Sequence, residues 1–420
     1  MAEAHVSESS APKLDLSRFA PAAGVIGLVG TIGCLAMMFG GQEKMWGSFL
    51  FGWYFWMSIS IGMLGLTFLH HAVRGQWTLA ILRLLEAGAG WRTFLLMLVL
   101  IIPVLMQPQH LYEWTDKLLV YGDPAKGIAG DATILRKTWW LNEPGWIART
   151  FIVLLMFAWM SWGFQNSCRR QEANKDFKLE AGRSSYGAVS LVFFFLACTV
   201  LLTDLLMSMN PHWSSTMYPV WQIIAGGGAA LAFCLLIQCT QADKKPYTDV
   251  LRSDLTRDQG NMMFALTMFW GYTSISQFLI IWNGNIPETT SYFVQRSSAI
   301  HPPGMEGNHW GVLGLLLIVG RFFVPWFLLL APRSKTNVSN LAKITGWILV
   351  MHLCDMYLLV IPSVHGRGVM GPLNAQLPFD LLAVISVGGL WLGMFAFATK
   401  SRALIPTYDQ RLQEAKAHAH

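Results

Sequence analysis

The chain has 420 residues, of which 54% are hydrophobic and 13% charged, about half the charged share of a soluble domain. Its mean hydropathy is +0.42. That balance excludes an ordinary soluble enzyme and predicts an all-α polytopic membrane protein. The net charge of +6 follows the loop pattern described below, so no nucleic-acid partner is expected. Among the first twenty residues, Glu3, Glu8 and Asp15 are mixed with Lys13 and Arg18 and there is no apolar core with a cleavage site, which reads as a cytoplasmic tail and not a secretory signal.

A spanning helix needs roughly 17–25 mainly apolar residues. Ten segments meet that length: 21–40, 47–69, 90–107, 145–165, 186–207, 219–240, 261–283, 310–331, 341–362 and 379–399. The expected organisation is a tail over 1–20, a ten-helix membrane domain over 21–399 and a second tail over 400–420. Residues 77–88 are too short and too charged to span, and read as an amphipathic interfacial helix leading into the third span.

The N-terminus, the loops after the even-numbered spans and the C-terminus together hold 21 of the 30 Lys and Arg residues, whereas the opposite set of loops holds seven. The positive-inside rule therefore puts both termini in the cytoplasm, and the even number of spans agrees in placing them on one side. The long loops 108–144 and 284–309 then lie outside. They carry Trp114, Trp139, Trp140, Pro302, Pro303 and Gly304, a composition suited to a lid packed on the protein's own helices or to a docking surface for an extracytoplasmic partner. Gly27, Gly30 and Gly33, Gly226 to Gly228, and the Gly389–Gly393 spacing mark close helix contacts.

Ionisable residues at membrane depth are the main candidate site. Asp204 lies toward the outer end of span five. Arg321 falls at the middle of span eight and His352 at the middle of span nine, with Asp355 three residues later on the same helical face. At 1.5 Å rise per residue the two acids differ in depth by only about 8 Å. Two readings stand. Arg321 and Asp355 form an ion pair that pins two helices together, or Asp204, Arg321, His352 and Asp355 converge on a proton path.

Secondary polar candidates have simpler readings. His70 and His71 end span two, where they meet lipid headgroups or form a cytoplasmic inlet for protons. Arg149 snorkels near the outer end of span four, Asp380 caps span ten, and Gln222 and Gln277 act as interhelical glue. His212 lies in the outer loop after Asp204. Only His352 sits at mid-membrane depth, so the opposed axial ligands of a bis-His haem are missing. The six cysteines form no CxxC or CxxCH. Iron–sulfur, zinc-ribbon and covalent c-type haem sites are therefore unsupported, and no metal-ligand cluster stands out.

Several stretches together carry a resemblance: WLNEPGWIARTFIVLLMFAWMSW at 140–162, TDLLMSMNPHWSSTMYPVW at 203–221, DQGNMMFALTMFWGYTSISQFLIIWNGNIPE at 258–288 and LIPTYDQRL at 404–412. They resemble the F subunit of bacterial alternative complex III, an NrfD-like, polysulfide-reductase-type membrane subunit, over residues 47 to 412. The resemblance implies two four-helix bundles, spans two to five and six to nine, flanked by spans one and ten. It implies the bacterial inner membrane, and a menaquinol- or quinol-oxidising complex that passes electrons to a cytochrome c or a terminal oxidase. Its implied partners are a paralogous C subunit that binds quinol, a B subunit with iron–sulfur clusters and molybdopterin-enzyme-like architecture, c-type haem subunits, small membrane subunits and lipids. This chain would carry no cofactor, and would conduct protons and give structural support beside the C subunit. One departure is local: the family pattern has an aromatic directly after the span-five Asp, whereas Leu205 follows Asp204 here.

Two other functions remain open from the sequence. One is a quinol site in this chain, near Asp204 and His212. The other is a free-standing secondary transporter, for which Gly226 to Gly228 is the only comparable midplane break.

Overall fold

The computed structural model describes residues 15–126, 128–174, 178–297, 309–364, 371–400 and 404–406. Most of both expected tails, with Pro302, Pro303 and Gly304, lies outside the described residues. Within them the protein is helical, apart from an antiparallel pair of two-residue strands that sets Gly122 against Ala129 and Asp123 against Ile128.

Among the described residues, ten helices are long and apolar enough to cross a membrane. Spans one to five are Ser17–Phe39, Met45–Val73, Leu82–Met106, Glu143–Asn174 and Gly182–Met209. Spans six to ten are Met217–Thr240, Ser253–Gly284, Trp310–Leu330, Val338–Ser363 and Leu377–Thr399. Their order is the one that hydropathy predicts, but several helices run on past their apolar windows. Span seven adds a polar first turn from Ser253 and stops where Asn285 turns left-handed (φ 43°) two residues before Pro287, an effective helix stop. Span two ends likewise at Arg74, φ 59°.

The segment read as an interfacial helix is corrected by the structure. Leu82–Gly88 is helical and buried at every residue, and it forms the first part of span three before the chain turns at Ala89 and Gly90. Its charges do not need water, because Arg83 and Glu86 pair across one helical turn at 2.5 Å and Glu172 of span four also pairs with Arg83.

Span two is the centre of the fold. Most of its apolar window is buried (89%, against 22% for span one and 28% for span eight), because spans five, six and ten all pack on it. A Cβ at Gly62 would fall on the Gly226 carbonyl, and one at Gly226 would fall on the Ser58 carbonyl, so spans two and six cross with backbones in contact. Spans one and ten cross in the same manner at Gly27 and Gly389. Without a hydrophobic drive between helices in lipid, such close approach supplies the packing energy. The predicted close contacts therefore hold at Gly27, Gly30, Gly226, Gly389 and Gly393, while Gly33 and Gly228 face open space.

Large apolar side chains such as Val29, Phe193, Tyr272, Ile280 and Phe327 point outward. In water so much exposed apolar surface would drive aggregation. In a bilayer it is the lipid-facing surface.

Candidate functional site

Buried charges on the spans are held in separate groups. At the end of the bundle that bears residues 108–144, Asp204 is fully buried. Its Oδ2 accepts from Nε of Arg149 at 2.6 Å and its Oδ1 accepts from Nη2 at 3.2 Å. The indole N–H of Trp140 donates to Oδ1 at 2.8 Å. Arg149 does not snorkel: its guanidinium lies 4.1 Å from the Trp140 ring centroid and donates to the Trp140 carbonyl. The residues before span four thus fold inward as a lid on Asp204, and Trp114 is buried beneath them while Trp139 stays exposed. Tyr112 closes the group, donating to the Leu205 carbonyl. Burial pushes its phenol up, and the Asp204 carboxylate adds to the rise.

The second group lies deeper, among spans two, six, seven, eight and nine. Nε of Arg321 is 3.3 Å from Oδ2 of Asp355, and both side chains are buried. Trp270 of span seven donates its indole N–H to the same carboxylate oxygen at 3.2 Å, and the Arg321 guanidinium lies 4.9 Å from that ring's centroid. Arg321 also donates to the Ala225 carbonyl of span six at 3.4 Å. Its position depends on the backbone, because Ile318–Phe323 form a turn of π-helix inside span eight, a device that re-aims side chains and is frequent at functional sites. A cavity of about 20 Å³ opens beside Arg321, Trp270 and Thr267, which is room for one water.

His352 belongs to this neighbourhood through span two. Its Nε2 is 2.8 Å from Oγ of Ser58, and its ring packs near Phe55. Toward the long-loop end, Tyr54 donates to Gln222 at 3.2 Å, the interhelical contact expected of Gln222. Gln277 accepts from Ser215 at 2.5 Å. Tyr292 stacks on Trp213 with ring centroids 4.0 Å apart. Burial raises its phenol, and the nearby Arg296 lowers it. Arg296 donates to Ser363 at 2.6 Å, and Asn210 donates to the same hydroxyl at 2.7 Å, tying the end of span five to the end of span nine.

The four residues predicted to converge therefore divide. Arg321, Asp355 and His352 share one region, whereas Asp204 is closed off by Arg149 and Trp140. The sequence reasoning missed the partners: Trp140, Trp270 and Ser58 carry no charge to draw attention. The two groups nevertheless have one design, an Asp held by an Arg from the preceding span and by a tryptophan N–H.

Two secondary candidates sit elsewhere than expected, and two have partners that the sequence did not show. His70 and His71 are buried, not at headgroups. His70 bonds Thr78, and His71 stacks on Phe164. Asp380 does not cap span ten, whose N-cap is Gln376; it is buried within the helix and accepts from Ser48 at 2.5 Å and Tyr357 at 3.1 Å. His212 pairs with Asp131 at 3.2 Å and not with Asp204.

Among the described residues one trio has the chemistry of metal ligands. His71, Glu86 and Cys168 are buried, with ligand atoms within 4.8 Å of one another. Three helices bring them together, so no local spacing in the sequence could show it. The N, O and S donors would suit zinc. Arg83, however, already holds one Glu86 oxygen at 2.5 Å, and its positive charge opposes a dication at the same carboxylate.

No protein-family model matches the chain, and no curated protein matches it.

Proposed function

We propose that the protein is a proton-conducting membrane subunit of a quinol-oxidising respiratory complex of the alternative complex III type, in a bacterial inner membrane with both termini cytoplasmic. The observation that carries the proton path is the pairing of Asp355 with Arg321, which stands on a π-helical turn, with His352 nearby and a cavity of water size at the guanidinium. A buried acid with an arginine, a histidine and space for water is the equipment of intramembrane proton relays.

Buried polar atoms without a protein partner support a route from there toward the long-loop end. Among the described residues, Arg321 Nη1, His352 Nδ1, Gln222 Nε2 and Tyr292 Oη are buried without a protein partner. Buried donors and acceptors of this kind are satisfied by water, and waters between them would join Asp355 to the region of Arg296 and Asn210. Asp204 with Arg149 would form a second, outer station.

The chain reads as two four-helix halves, spans two to five and six to nine, with spans one and ten flanking. The Gly62–Gly226 crossing of the two leading helices and the repeated Asp–Arg–Trp arrangement favour that division. Quinol oxidation, iron–sulfur clusters and c-type haems belong in this reading to the partner subunits, and the quinol site to the C-type paralogue.

The test is proton flux in vesicles holding the purified complex, driven by an imposed potential. Asp355→Asn is expected to abolish flux while the complex still assembles. Undiminished flux in both Asp355→Asn and Asp204→Asn would refute the path. Purification through a tag on this chain tests the complex, since a lone colourless protein would be incompatible with it.

A further inference from the structure

The lid over Asp204 is fastened to the segment after span five by Trp140, Lys137 and Asp131 in turn. The indole of Trp140 donates to Asp204 at 2.8 Å. Lys137, three residues earlier, donates its ammonium to the Pro211 carbonyl at 2.6 Å. Next to Pro211, Nε2 of His212 stands 3.2 Å from Oδ2 of Asp131, and the two side chains are 45% and 20% exposed, so the solvent can protonate the imidazole. The carboxylate is already oriented for it. Asp131 caps the short helix Ala132–Lys137, its Oδ1 accepting from the Thr133 and Ile134 amides at 2.8 and 3.0 Å, which leaves Oδ2 for the imidazole. Fully buried Ile134 seats that helix, and the Trp140 and Leu141 amides both donate to the Lys137 carbonyl. Residues 131–140 therefore form one hydrogen-bonded unit, and what loosens its outer end loosens the grip of Trp140 on Asp204.

We propose that His212 is a positioning residue, which through Asp131 makes the closure of the lid on Asp204 depend on pH at the long-loop face. An imidazole gains its charge between about pH 5 and 8. Charged, it pairs with Asp131 and adds to the latch; neutral, it leaves Lys137 and Trp140 to hold the lid. Closure is therefore tightest in acid and weakens as the pH rises. The surrounding charges keep that sign. Residues 205–216, the segment of His212 itself, carry no charge besides it. From the lid, Lys137 is drawn to the same Asp131: burial lowers its ammonium and Asp131 raises it. On the side of span nine, Asn210 meets the neutral Ser363, to which Arg296 also donates. Beneath the lid, Arg149 and Asp204 pair with each other. For its effect on conduction the inference rests on the reading proposed above, in which Asp204 is the outer station. Acid outside then covers that station, and a more alkaline medium frees it.

Amide hydrogen exchange on the purified full-length protein reads the opening of the lid, through the Leu135, Trp140 and Leu141 amides that bond within it. Corrected for the intrinsic rate, protection at about pH 8 is expected to be roughly two- to fivefold below that at about pH 5.5, the range of a partly exposed ion pair. His212→Gln should remove the difference by lowering protection in acid. His212→Lys keeps a positive charge at both values and should show the acid level of protection at both. Asp131→Asn retains a side-chain oxygen for the cap and should behave like His212→Gln. Protection that does not change with pH in the parent would overturn the latch, as would an undiminished difference in His212→Gln and Asp131→Asn. Exchange is read without any proton flux, so the two ideas fail separately. Protection that follows pH in a protein passing no protons upholds the latch and refutes the path. Flux that Asp355→Asn abolishes, with protection indifferent to pH, upholds the path and refutes the latch.

Discussion

Arg149 reaches Asp204 with Nε at 2.6 Å, so the span-five acid is neutralised by the span before it and not by the deeper charges of spans eight and nine. The same relation recurs where Arg321 meets Asp355 at 3.3 Å. In each pair the acid is the more enclosed or an equally enclosed member, and each retains an indole N–H besides its arginine. The consequence for stability is asymmetric, because a buried ion left without its partner costs more than the pair itself contributes.

Arg149→Met should therefore destabilise strongly, by about 3–5 kcal/mol. Asp204→Asn should cost less, since an amide oxygen can still accept from Trp140. The double variant Arg149→Met/Asp204→Leu should recover part of the loss. Folded fraction after heating in detergent, compared across the three variants, measures the coupling. Equal losses for Arg149→Met and Asp204→Asn would contradict this account.

Helix crossing gives a second expectation. Gly62→Val places side-chain atoms where the Gly226 backbone lies, so spans two and six must separate and the yield of folded protein should collapse. Gly33→Ala meets nothing within 4 Å and should leave yield and melting behaviour unchanged. Size-exclusion profiles of the two variants make the comparison.

Arg321→Lys tests whether a positive charge alone suffices in the deep group. A lysine is a point donor and lacks the planar fork that faces Asp355, the Trp270 ring and the Ala225 carbonyl together. Proton flux should fall by roughly tenfold or more, with assembly retained. Flux equal to that of the parent would mean that only the charge matters there.

The His71, Glu86 and Cys168 trio gives the opposite kind of expectation. With Arg83 on Glu86, elemental analysis of the purified protein should find zinc well below one equivalent per chain. Arg83→Gln removes the competing cation and should raise zinc retention. One full equivalent in the parent would show that the arginine does not exclude the ion.

Several of these residues could be read from the chain and others could not. Asp204, Arg321, His352 and Asp355 stand out because a charge inside an apolar run is costly. Their partners were hidden, since Trp140 and Trp270 are ordinary residues for a membrane protein until the fold aims an N–H at a carboxylate. The buried helix at Leu82–Gly88 was misjudged because charge was counted without pairing. The three-residue spacing of Arg83 and Glu86, one helical turn, was the available signal that the two neutralise each other. Arg149 was misread for a related reason, as snorkelling assumes water is the best partner within reach.

By itself the sequence determined the class of protein, the ten helices and their order, and the residues whose burial would need compensation. These follow from hydropathy and length, which are local properties set by the thickness and polarity of a bilayer. Only the tertiary structure decided which acid meets which arginine, that spans two and six cross at Gly62 and Gly226, and that Asp131 and Lys137 meet His212 and Pro211. Those outcomes depend on the rotation and contact of helices far apart in the chain. Side-chain chemistry alone does not fix them.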